Sequence, residues 1–135
     1  MQNILDDLHQ YSDRFTIGQV ITFFARKGFT TLTRAMIQNY VRDGVLRPPL
    51  GKRYYTHKHV ATLALIQYLK PLYEIADLRD VLTPHMDEEG ISVERYTAWA
   101  SASETTLDAW RTAIAPLLDG DVAQMLHSVD VYTAH

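Results

Sequence analysis

The chain contains no cysteine, which excludes a disulfide framework and any thiolate-based metal or redox centre, zinc fingers included. Long apolar runs are missing as well. No stretch approaches the roughly 20 consecutive apolar residues of a membrane-spanning helix. The opening MQNILDDLHQ has neither the basic start nor the unbroken apolar core of a secretory signal. A soluble, cytoplasmic protein without membrane contact is expected. The most informative scarcity is of acid, because between positions 14 and 58 the only carboxylate is Asp43.

That same window holds nine of the thirteen Lys and Arg residues: Arg14, Arg26, Lys27, Arg34, Arg42, Arg47, Lys52, Arg53 and Lys58. Nine cations against one acid leave it at +8, and four cations against fifteen acids leave the remainder at −11, so the net charge of −3 conceals a divided molecule. A positive field confined to one stretch attracts a polyanion, and neutralising phosphates gains affinity by releasing condensed counterions. Double-stranded DNA is therefore the expected partner. At 135 residues with 47% apolar content, the chain fits one compact domain, or a small one with an appended helical unit.

Apolar spacing outlines the elements. Ile4, Leu5, Leu8 and Tyr11 predict an amphipathic helix ending near Ser12 and Asp13. Thr16 caps a second helix whose face Ile17, Val20, Ile21, Phe24 runs to Gly28. Thr33 caps a third from Arg34 to about Asp43, stopped by Gly44. Val45 to Thr56, with Pro48, Pro49 and Gly51 followed by KRYYT, reads as a short β-hairpin, or wing. From His59 a helix runs to Leu69, where Pro71 interrupts it, and a short helix covers Asp77 to Leu82. Proline, glycine and acids in 83–90 place a hinge there. Beyond it a long helix is expected from Ser92 to Leu118, and a last one over Val122 to Val129. Two parts result: residues 1–83, and a helical segment over 84–135.

Two helices joined by a Gly/Thr connection, then a polar helix face, then a basic extended loop, are the parts of a winged helix-turn-helix in a mainly α protein. The major groove admits an α-helix, and Arg, Gln and Asn match guanine and adenine edges. Arg34, Gln38 and Asn39 fit base contacts. Arg42, Arg47, Lys52, Arg53 and Lys58, with a hydroxyl of Tyr54 or Tyr55, fit phosphate contacts that position without reading sequence. Thr16 and Gln19 add backbone contacts at a helix N-terminus.

These residues resemble the MerR-like bacterial regulators over roughly 16–82. TIGQV looks like the opening of their first helix, IQNYVRDGVLRPP like the recognition helix and its turn, and KRYYTHKHVATLALIQYLKPLYEIADLRDVL like the wing and next helix pair. MIQNYV, the PP before KRYYT, and His59 are more similar still to a small bacterial domain-of-unknown-function branch of that superfamily. The resemblance implies a transcriptional regulator, with recognition-helix contacts on Gln38, Asn39, Tyr40 and Arg42 and wing contacts on Arg53 and Tyr55. It also implies a homodimer paired through the long C-terminal helix on a two-fold symmetric operator. The chain departs from the family by several extra residues in FFARKGFTTL.

Other readings are weaker. His57 and His59 lack a third ligand nearby, so no metal or cofactor is expected. Tyr96, Trp99, Leu107, Trp110 and Ile114 step along the C-terminal helix and suit a core or dimer interface better than an effector pocket. Asp87, Glu88 and Glu89 have no nucleophile or orienting base beside them, and with no triad or phosphate-cradling loop an enzyme is not expected. Two rivals stand beside the regulator: an excisionase-like architectural factor that bends DNA, and a protein-interaction adaptor.

Overall fold

The computed structural model describes residues 3–102. Its elements are α1 (Ile17–Arg26), α2 (Arg34–Arg42), α3 (His57–Leu69) and α4 (Ile75–Leu82), with single 3-10 turns at Leu8–Gln10 and Thr83–His85. A further helix, α5, begins at residue 93 and is described through 102. Residues Ile4–Tyr96 form one compact unit. Leu107, Trp110, Ile114 and the helix expected over 122–129 lie outside the described residues.

The expected caps form. Thr16 Oγ1 accepts the Gln19 N–H at 3.3 Å while Gln19 Oε1 accepts the Thr16 N–H at 2.9 Å, a reciprocal box that satisfies two amides with no partner inside the helix. Thr33 Oγ1 accepts the Met36 N–H at 3.2 Å at the start of α2. That helix ends with the Gly44 N–H on the Val41 carbonyl and the Val45 N–H on the Tyr40 carbonyl, both at 3.1 Å. This crossed pair requires a left-handed residue, and Gly44 supplies it at φ +80°. α1 ends the same way, through Gly28 and Phe29.

α3 is the central element. His59 to Gln67 are all buried, and a helix buried on every face has no polar stripe to show in its sequence. It starts at His57 rather than His59 because His59 Nδ1 accepts the Thr56 N–H at 2.9 Å, the task a Glu or Gln performs in the usual box. α2 buries Ile37 and Tyr40, α4 buries Leu78 and Leu82, and Ile91 and Tyr96 are fully buried beyond them.

Two expectations are corrected. The segment carrying Ile4, Leu5 and Leu8 buries those side chains as turns and a 3-10 turn rather than as an α-helix; apolar residues one turn apart serve either form. The β-hairpin wing does not form: among the described residues there is no strand, only isolated antiparallel bridges at Leu50 with Tyr54 and Phe15 with Tyr55. Pro48 and Pro49 have no amide to donate, so no ladder extends beyond the first pair. The wing is instead a tight loop in which Gly51 (φ +57°) and Lys52 (φ +62°) are both left-handed. No described helix is long and apolar enough to cross a membrane.

Candidate nucleic-acid interface

The bridge between Phe15 and Tyr55, with both N–H to O distances 2.8 Å, fastens the start of α1 to the stem of the loop. Neighbours in extended chain face opposite ways, so Tyr55 turns inward when Tyr54 turns outward. Tyr55 is 5% exposed, its ring edge-on to His59 at 5.4 Å, and burial pushes its hydroxyl pKa up, with the Arg34 charge pulling the other way. Tyr55 is thus a core residue, which corrects the outward phosphate contact expected of it, while Tyr54 is the partly exposed member of the pair. Arg14 lies 5.5 Å and Arg53 5.3 Å from the centre of the Tyr54 ring. One aromatic face thereby gathers two guanidinium groups from segments 39 positions apart.

Arg34 is exposed in the first turn of α2, and its charge acts on the Tyr55 hydroxyl. On the same helix Gln38 and Asn39 are exposed while Ile37 and Tyr40 face the core. Tyr40, expected to touch backbone phosphate, is only 6% exposed, a correction that follows from its place on the inward face of α2 with Ile37. Lys52 stands at the loop tip, exposed, in a conformation that costs a non-glycine residue roughly 1 kcal/mol. Among the described residues Arg14, Arg26, Arg34, Lys52 and Arg53 have no carboxylate partner.

The other expected contacts are already engaged. Arg42 Nε bonds Asp43 at 3.2 Å, Arg47 Nε donates to the Asp87 carbonyl at 3.0 Å, and Lys58 pairs with the Asp87 carboxylate. Thr16 and Gln19 cap each other, leaving Gln19 exposed beside an open groove of about 590 Å³ along α1. Arg14 and Arg26 rim that groove, Tyr11, Phe15 and Phe23 wall it, and none of its lining side chains is a carboxylate. Spacing alone did not find Arg14, Arg26 or Tyr54 as a group, because the bridge that unites Arg14 with Tyr54 leaves no mark on local periodicity.

His57 and His59 are held by hydrogen bonds within the fold. His57 Nε2 lies 3.2 and 3.0 Å from the Tyr11 and Ser12 carbonyls, and its amide donates to Asp13 at 2.7 Å. His59 Nε2 donates to the Pro48 carbonyl at 2.8 Å. Among the described residues no three His, Asp or Glu side chains group as metal ligands. Tyr96, expected at a dimer interface or effector pocket, is fully buried, and Trp99 is partly exposed.

A family model described as a domain of unknown function, DUF1836, matches residues 6–100. The chain belongs to the DUF1836 family. No curated protein and no solved structure matches it. The expected MerR-like membership is corrected by this match: DUF1836 is the family found, and nothing indicates the MerR-like one. The residues that suggested it are those of two capped helices and a basic loop, features that short-range physics produces without common descent. The DUF1836 match includes Arg14, Arg53 and Tyr54 as well as the α2 residues Arg34, Gln38 and Asn39.

Proposed function

We propose that this DUF1836 chain binds double-stranded DNA and reads sequence with α2, as a transcriptional regulator. The observation that carries the reading is the pair of arginines without carboxylate partners, Arg14 and Arg53, gathered on the Tyr54 ring, together with the exposed α2 residues Arg34, Gln38 and Asn39. Like charges repel, so an anion that completes a cluster of this kind relieves the repulsion and is attracted to it. In the proposed mode Arg34, Gln38 and Asn39 meet base edges in the major groove. Arg14, Lys52, Arg53 and Tyr54 hold one flanking phosphate run, and Gln19 and Arg26 hold another along the α1 groove. The helix pair and loop then act as a helix-turn-helix whose wing is a turn instead of a hairpin.

A protein partner is favoured by a separate patch. Leu72 and Tyr73, adjacent in the turn between α3 and α4, are 57% and 51% exposed, and large apolar side chains exposed near one another mark contact surfaces.

Selection of bound fragments from random duplexes, repeated at two salt concentrations, tests the DNA reading. Enrichment of a common motif that survives the higher salt is the expected outcome, and an inverted repeat shows that two copies bind together. Retention of every sequence alike at low salt, lost at high salt, removes the reading role of α2. A long footprint with an induced bend favours the architectural alternative.

A further inference from the structure

The acidic run at 87–89 is built into the fold. Asp87 closes a turn: its N–H donates to the Gly90 carbonyl at 3.0 Å, and its Oδ1 accepts the Glu89 and Gly90 N–H groups at 2.8 and 3.2 Å. The turn is seated on α3 by the Ile91 N–H, which donates to Thr62 Oγ1 at 2.9 Å, while that hydroxyl donates to the Lys58 carbonyl at 2.8 Å. Gly90, at φ +127°, is required here, because a Cβ would strike Thr62 Oγ1 and come within 3.0 Å of the Lys58 carbonyl oxygen.

So placed, Asp87 holds two cations of the basic window at once. Its free carboxylate oxygen pairs with Lys58 Nζ, and its carbonyl accepts Arg47 Nε. Glu89 and Asp13 add their fields around Lys58. Lys58 is the second residue of α3, four positions after Tyr54 in the sequence. We propose that the Asp87–Gly90 turn is an intramolecular mimic of a nucleic-acid phosphate, withholding Lys58 and Arg47 from DNA and so limiting affinity; this rests on the DNA reading above. The Lys58 and Asp87 side chains are 39% and 52% exposed, and exposed pairs of this type are weak. A phosphate competes for them, so the contact lowers affinity without abolishing it.

The test is titration of a fluorescent random-sequence duplex with the full chain and with Asp87→Asn across a salt series. Asparagine keeps the oxygen that accepts the turn amides and loses the charge. The variant is expected to bind about 3- to 10-fold more tightly at low salt, with the log–log salt slope steeper by ~1, the release expected for one more neutralised phosphate. Adding Lys58→Gln to Asp87→Asn should cancel the gain. Equal affinities and slopes for wild type and Asp87→Asn overturn this inference and leave the DNA reading standing; no binding by either folded protein overturns both. Should circular dichroism show Asp87→Asn to be misfolded, Lys58→Gln alone decides. A loss much smaller than that of Arg53→Ala supports the withheld state, and an equal loss overturns it.

Discussion

His59 is fully buried, and each ring nitrogen has a fixed role: Nε2 donates to the Pro48 carbonyl and Nδ1 accepts the Thr56 N–H. Only the neutral ring can do both, and burial lowers its pKa below the usual histidine value of 6.5, against the pull of Pro48, Glu89, Asp13 and Asp87. A base whose folded pKa is depressed contributes stability that is complete above 6.5 and lost as pH falls through the folded value. Urea unfolding at pH 7.5 and pH 5 should therefore show lower stability in acid, and His59→Gln should remove that part of the pH dependence. An unchanged dependence contradicts the role. The sequence allowed only one of Tyr54 and Tyr55 to face outward, through strand alternation, but which one depended on the pairing with Phe15, a contact 40 positions away. Arg34, Gln38 and Asn39, by contrast, were legible as an outward face because Ile37 and Tyr40 mark the inward one.

At the scale of elements, α2 is held in place by its ends. Gly44 sits at φ +80°, and a Cβ there would lie 3.3 Å from Arg79 Cδ. Gly44→Ala is expected to cost about 1–2 kcal/mol through the left-handed backbone alone, read as a lower denaturation midpoint with an unchanged slope; a neutral result would mean that the crossed bonds to Tyr40 and Val41 are not holding the helix. Both caps and both glycine stops were visible in the sequence, since these signals are local. The wing departs from a hairpin for a reason that is also local: the aromatic and β-branched residues of KRYYT favour extended chain, yet Pro48 and Pro49 deprive the opposing side of donors. The start of α3 is hard to see in the sequence because histidine is an uncommon partner in a capping box. The helical spacing of Val60, Leu63, Ala64, Ile66 and Leu69 marks α3 itself, although its burial on every face leaves no polar stripe to orient it.

Across the whole molecule, the opposed charges noted at the outset are resolved by the fold into cations that are free and cations that are held. Arg14, Arg34, Lys52 and Arg53 have no carboxylate partner among the described residues, whereas Lys27, Arg42 and Lys58 are paired with Asp7, Asp43 and Asp87. Charge counting could not make this division, because Asp7 and Asp87 lie outside the basic window and reach it only through tertiary contact. The proposed DNA surface is thus narrower than the sequence suggested, and it draws on Arg14 and Tyr54 in place of Tyr40, Tyr55 and Lys58. The most direct measurement is the salt dependence of duplex binding by wild type, Arg53→Ala and Gln38→Ala, on the selected sequence and on random DNA. Arg53→Ala should weaken binding to both duplexes and reduce the salt slope by ~1, while Gln38→Ala should cost ~1–3 kcal/mol on the selected sequence and leave random DNA nearly untouched. If both variants bind each duplex as wild type does, with the same slope, the surface around Tyr54 and the α2 face does not bind DNA.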